Sequence, residues 1–455
     1  MEIGFARVDV TPPIGAEMPG SFSKRCNVGV HDPLHARAMV VSDSKTRVAL
    51  VGVDALSLKH SVVRRARELA TEWCGFGPNI MACASHTHSG GPATGPLGSD
   101  PDEEYLRFLS LRIAQAVTLA DRAKVPARLG IGAGHEDTVA FNRRFWMKDG
   151  KQATHPGKGN PETVRVAGPI DPEVGVLGAW SLEGQYLGCL VNYTCHCTVF
   201  GGLEVSADYP FYMDRTVRDV MGEDSVTVFV NGAYGDVTQV SNTLLREAEF
   251  GEKWARRVGT VLGGEAVKVL SRMEPREEAR LQAAVERIGL TPRPVTAERL
   301  AEAQALLATD GPWDVERWYA RELVLLDEMN REEPLVPAEV QVLAVGEAAL
   351  VAIPGEYFCR FGLDIKAQSP FPHTWIAGTA NGCVGYIPTA EAMGPNGGGY
   401  EPRLCRSSKL VPEAGGELQD TALKLLRRLE PPPPPPAPEV PPAAPWNVGA
   451  SRAGA

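Results

Sequence analysis

The sequence predicts an α/β protein, one large domain of mixed β-sheets flanked by helices. Three observations carry this reading. Short strand-like runs alternate with amphipathic helical segments along most of the 455 residues. Some of those runs, such as 80–84 and 226–230, are apolar at nearly every position, as strands buried in a core are. An apparent hairpin, 36–41 and 47–53 around Ser42-Asp43-Ser44-Lys45, interrupts the strand–helix alternation and points to mixed rather than purely parallel pairing.

Taken in order, residues 4–10 alternate as a strand until Thr11-Pro12-Pro13 breaks the pattern. The hairpin follows, its second strand ending at Asp54, which reads equally as a pocket residue or a turn former. Residues 60–73 and 102–122 have helical periodicity and flank a buried strand at 80–85. Strands are expected at 127–133, 174–180 and 186–193, a helix at 208–221 and a strand at 226–230. That strand runs into the glycine-rich turn Asn231-Gly232-Ala233-Tyr234-Gly235-Asp236. A long helix over 250–271 and a strand over 279–290 come next. Residues 296–331 read as a helical hairpin broken at Gly311-Pro312. Strands over 340–353 and 373–378 complete the pattern. The folded domain is expected to span 1–430, and the Pro/Ala-rich segment 431–455, opening with six prolines, has the composition of a solvated tail.

Composition excludes several function classes. The net charge of −10, without a Lys/Arg-rich run, argues against a nucleic-acid partner. No apolar stretch is long enough to span a membrane, and the first residues lack a secretory pattern. Nine scattered cysteines with no CxxC pair fit reduced thiols, so a cytoplasmic location is expected.

The chemistry begins at Ser85-His86-Thr87-His88, two imidazoles at a strand end followed by Gly90-Gly91-Pro92. Imidazole is the commonest zinc ligand and a neutral-pH acid/base. Alone, such a pair is equally at home on a surface loop. Other strand ends add His196, Glu356 and Tyr386. Two histidines and a carboxylate are enough for a catalytic zinc with an open position for water. From residue types alone Tyr386 reads better as a core tyrosine, and Cys195 and Cys197, beside His196, are expected to face away from it.

Taken together, these segments resemble the neutral, non-lysosomal ceramidase family. The resemblance runs in order through 4–11, Leu34-His35-Ala36-Arg37-Ala38, His86-Thr87-His88-Ser89-Gly90, Asn142-Arg143, Ile170-Asp171-Pro172, Gly235-Asp236-Val237-Thr238, Pro354-Gly355-Glu356-Tyr357, Gly385-Tyr386 and Tyr400-Glu401. It implies a ceramidase-like catalytic fold and Zn²⁺ held by His86, His196, Glu356 and Tyr386. It implies that His88 and Tyr400 face the substrate carbonyl as donors, with Arg143 in the pocket. The implied reaction is hydrolysis of a linear amide in an N-acyl substrate by metal-activated water. An ester or lactone hydrolase, or a non-catalytic metal-bound protein, are the alternatives.

The chain departs from the family pattern at Thr238, where a serine is usual, and in Gln239-Val240 after it. Thr238 is therefore expected to be a pocket residue rather than the nucleophile. No apolar docking hairpin and no C-terminal immunoglobulin-like domain are evident. A small-molecule or lipid-like N-acyl substrate is expected, ceramide itself or one smaller or more polar; acyl length, amine identity and oligomeric state are not encoded legibly.

Overall fold

The computed structural model describes residues 1–431; residues 432–455, which hold nearly all of the Pro/Ala-rich segment, lie outside the described residues. Its centre is an eight-stranded sheet in the spatial order Val226–Asn231, Tyr186–Tyr193, Glu173–Ser181, Val125–His135, Glu2–Asp9, His35–Ser42, Arg47–Val53, Ile80–Ala84. Pairing is antiparallel except at the two edges, where Arg47–Val53 with Ile80–Ala84 and Tyr186–Tyr193 with Val226–Asn231 are parallel. A second sheet has the order Leu281–Leu290, Val336–Val345, Ala348–Ala352, His373–Ala377, also mixed.

Alternation along the strands sets the layers. In His35–Ser42, Ala36, Ala38 and Val40 pack against the helices His60–Cys74 and Glu103–Arg122. Met39 and Val41 point the other way, into a core shared with Leu343, Leu350 and Trp375 of the second sheet. Helices Tyr209–Met221 and Glu252–Leu270 cover the other half of the first sheet. Cys359–Gln368 and Ala414–Arg428 cover the second sheet. The result is a helix–sheet–sheet–helix sandwich. Both faces of the central strands are buried, which is why they read as nearly continuous apolar runs. Trp375, fully buried between the sheets, donates its indole N–H to Glu173 at 2.9 Å.

The eight-stranded sheet curls until its two edges meet. Gly52 lies directly on the backbone of Phe229, where a β-carbon would collide with the Phe229 carbonyl. Asn231 then donates its side-chain amide to the carbonyls of Ser85 and Cys195, 2.9 Å each. Those residues immediately precede His86 and His196, so one amide ties both histidine-bearing strand ends together.

Two differences from the sequence reading have clear causes. Residues 340–353 form two strands, Val336–Val345 and Ala348–Ala352, because Gly346 at φ +60° makes a tight turn between equally apolar segments. Asp54 is not at a pocket: it is buried against Arg37, 2.6 Å from its Nη1, and accepts the His35 N–H. The hairpin helices run Ala297–Ala308 and Val315–Glu332, N-capped by Thr296 and Asp314. All nine cysteines are free, and Cys195 and Cys197 sit in the apolar core with Tyr209 and Met213. No helix among the described residues is long and apolar enough to cross a membrane.

Candidate metal centre

His86 leaves the Ile80–Ala84 edge strand at φ +70°, a left-handed backbone that a non-glycine residue adopts only when its surroundings hold it there. Its N–H donates to the Ala55 carbonyl, and its ring Nδ1 donates to the Leu56 carbonyl at 2.7 Å. His88 donates Nδ1 to the Gly20 carbonyl at 2.7 Å. His196, completely buried, directs Nδ1 at the carbonyls of Tyr234 and Val237, 2.9 and 3.0 Å away. Glu356 and Tyr386 arrive from short parallel strands in which they are register partners. Gly235 makes room for this pair; a β-carbon there would strike the Glu356 backbone.

A carbonyl oxygen can only accept, so each of the three imidazoles carries its hydrogen on Nδ1. The three Nε2 atoms are then acceptors, and they converge; His196 Nε2 also receives Arg143 Nη1 at 3.3 Å. One ring nitrogen from each of the three histidines can be chosen so that all lie within 4.8 Å of one another, and Nε2 of His86 and His88 are 3.2 Å apart. Glu356 Oε2 is 3.3 Å from His86 Nε2 and 3.4 Å from His196 Nε2, and this buried oxygen has no hydrogen-bond donor. Burial raises the Glu356 carboxyl, and positive charge on His86 and His196, when those rings are protonated, more than offsets this; with the rings neutral, the positive charge that keeps the carboxylate ionised has to come from elsewhere. Burial, reinforced by Arg143, takes His196 down to about 3; burial and the neighbouring imidazoles also lower His88. An anionic oxygen facing neutral acceptors without a proton between them is the donor set of a cation. The residues therefore fit a metal ion, with either three imidazoles or His86, His196, Glu356 and Tyr386 as the ligand set. Tyr386 Oη is 3.5 Å from His196 Nε2.

The remaining residues singled out in the sequence surround this cluster. Arg143 is buried; its Nε donates to Glu401 at 2.9 Å, and its Nη2 to Gly235 O at 2.7 Å and Tyr386 Oη at 3.3 Å. Arg144, its sequence neighbour, turns away to Gln152, and both guanidiniums share the buried Glu401 carboxylate. Tyr400 lies 6.2 Å from the Tyr386 ring, centroid to centroid, and under the Arg143 guanidinium. Thr238 lines the cavity, but its hydroxyl donates to Gln239 Oε1 at 2.8 Å rather than to an imidazole. The His88 tautomer has one consequence for its role: Nε2 accepts, so resting His88 is not the carbonyl donor expected from the sequence.

These groups line a cavity of about 260 Å³. Several of its residues carried no signal in the sequence. Phe22, Leu97, His155, Phe250 and Tyr319 all line it, and all come from loops or from the helical hairpin. Gly20 and Leu56 carried no signal either, and Glu401 and Asn231, though part of segments singled out in the sequence, were given no role, since all four act through long-range contacts.

No protein-family profile matches the chain, and no curated protein matches it in sequence. Solved structures do. The neutral ceramidase from Pseudomonas aeruginosa superposes with a TM-score of 0.72 at 18% identity, over 93% of this chain and 74% of that one. The fold is that of the neutral ceramidases. A second structure, ceramidase complexed with C2, gives 0.70 at 18% identity, over 96% of this chain and 77% of the other. At this identity the ceramidase likeness speaks to architecture; the chemistry has to be argued from the side chains.

Proposed function

We propose that this protein is a zinc-dependent hydrolase that cleaves the carbon–nitrogen bond of an N-acyl amide. The observation that supports it is the convergence of three imidazole lone pairs and the donorless Glu356 oxygen at one end of a cavity. His86, His196 and Glu356 would hold the ion, with Tyr386 as the fourth donor. Zinc bound there supplies a Lewis acid and lowers the pKa of a water toward neutrality.

The protein's own groups divide the remaining work. Tyr400 contributes a hydroxyl to the oxygen of the scissile carbonyl; burial pushes its pKa up, so it stays protonated and able to donate. His88, neutral and with Nδ1 committed to Gly20, has Nε2 free to take a proton from the attacking water and later return it to the leaving amine. Arg143 donates to the Tyr386 hydroxyl and offsets part of the burial and Glu356 charge that hold Tyr386 protonated, and Glu401 fixes the guanidinium in that position. Thr238 shapes the wall. The absence of an imidazole at its hydroxyl supports attack by water over attack by Thr238.

The test is metal analysis of the purified protein together with turnover of a panel of N-acyl amides and matched esters. About one zinc per chain and hydrolysis of amides, both lost in His86→Ala, is the expected result. Full activity in a His86→Ala protein that no longer binds metal would sink the proposal, and ester turnover without amide turnover would redirect it.

A further inference from the structure

The cavity has a rigid wall, and that wall limits what enters. Helix Val315–Glu332 of the hairpin brings Tyr319 to the cavity, where its ring is 6.3 Å from that of Phe22, centroid to centroid. Phe22 meets Tyr400 edge-on at 5.7 Å, so the aromatic wall reaches the catalytic end of the pocket. Tyr319 is 3% exposed and clamped from behind by Arg403, 3.6 Å above its ring, which makes a two-pronged ion pair with Glu316 of the same helix. On the adjoining side, Leu97 holds φ +52°, a costly conformation for leucine. A buried carboxylate explains how it is kept: Glu322 accepts the Leu97 N–H at 3.0 Å and is gripped by Arg406 at 2.7 and 2.9 Å. The hairpin is thus bolted to the pocket loop through the buried Glu322 carboxylate and its two-pronged bond to the partly exposed Arg406, which makes it a fixed wall rather than a lid. The pocket volume, about 260 Å³, lies just below the range usual for drug-sized ligands and equals that of roughly nine waters.

Building on the hydrolase reading above, we infer that the site selects short-chain N-acyl amides and excludes two-chain lipids, with Tyr319 and Leu97 as the residues that set the limit. A short acyl group fills the space between the aromatic wall and the metal-competent cluster; a long one meets Tyr319.

The experiment uses the zinc-loaded full chain and a homologous series of straight-chain hydroxamic acids, from acetyl to palmitoyl, measured by isothermal titration calorimetry. Binding does not require turnover. Affinity is expected to rise about fourfold per added methylene while the chain fills the pocket, then stop rising or fall after a few carbons. Tyr319→Ala is expected to move that break to longer chains. Leu97→Gly should do the same, and glycine suits the backbone at this position, so folding is preserved. The corresponding N-acyl amides are assayed for turnover in parallel. A break at short chains that moves in both variants, with no amide turned over, supports the size limit and refutes amide hydrolysis. A wild-type affinity that climbs through the palmitoyl compound, variants whose break coincides with the wild type, or failure of every hydroxamate to bind overturns the inference.

Discussion

The cleft of about 780 Å³ beside helix Glu252–Leu270 and the pocket of about 260 Å³ at the imidazole cluster differ in how their polar groups are matched. In the larger cleft charges meet opposite charges at the water's edge: Lys268 with Glu265, and Arg276 with Glu347 at 3.0 Å, both cations more than half exposed. Such pairs contribute little and ask for no ligand. In the smaller pocket the buried Glu356 oxygen has no donor and faces the His86 and His196 acceptor nitrogens, of which only that of His196 is reached by a donor, Arg143 Nη1, so the pocket has an unmatched set that a cation would complete. Volume alone selects the wrong concavity; uncompensated polarity selects the right one.

The most damaging change to this contrast is at the donor set. Glu356→Gln and His196→Ala are each expected to lower kcat/KM by at least about 100-fold and to abolish stoichiometric zinc, as steady-state kinetics and metal analysis will report. Tyr400→Phe leaves the cluster intact and removes one donor. It is expected to cost about 10²–10³ in kcat with metal content unchanged. A smaller effect concerns acid stability. Burial lowers His155, at the pocket, to about 4, and burial together with Arg37 and Arg7 lowers His35 to about 3, below the 6.5 of the unfolded chain. Both groups therefore favour folding fully above pH 6.5, and each forfeits roughly 1.4 kcal/mol per unit as pH falls from 6.5 toward its folded value. Urea midpoints of the chelated protein at pH 7 and pH 5 should separate accordingly, and His35→Gln should narrow the gap. Thr238→Ala is expected to change kcat less than tenfold; a loss of several orders of magnitude would make Thr238 the nucleophile. The smallest effect belongs to the cleft, where Lys268→Ala should leave activity within twofold and stability within about 0.5 kcal/mol.

What was legible in the sequence follows from range. Tyr186–Tyr193 is read to the residue and Ile80–Ala84 to within one, because an apolar strand bounded by turn residues announces itself locally. The small strands Arg144–Met147, Gln152–Thr154 and Thr163–Val166 were not read, being too short and too polar to show a period. Helix Ala414–Arg428 opens on Ala-Gly-Gly, which reads as a turn until its apolar face is paired with the second sheet. At the site, His86, His196 and Glu356 stood out as metal-competent types at strand ends, and Tyr386 was added to them as a ligand by the family resemblance alone. His155 and Tyr319 did not, since nothing within ten residues of either says that the chain will fold it onto a cavity. The tautomer of His88 is likewise invisible in sequence, for it is written by a carbonyl at Gly20.

Asn231 stitches the two histidine-bearing strand ends with a single amide, and the residue after it is Gly232. Asn-Gly is the dipeptide most open to deamidation, because glycine leaves the backbone nitrogen unobstructed as it attacks the side-chain carbonyl. While the chain is folded the Gly232 N–H is committed to the Tyr193 carbonyl at 2.8 Å, which holds the attacking nitrogen in place. Once heat frees the segment, the amide hydrolyses to a carboxylate, and an oxygen that repels both carbonyls replaces the N–H groups that joined them. The sheet can close again after cooling, but the seam cannot, so thermal history should be recorded in the molecule as a slow chemical loss of its centre rather than as aggregation alone.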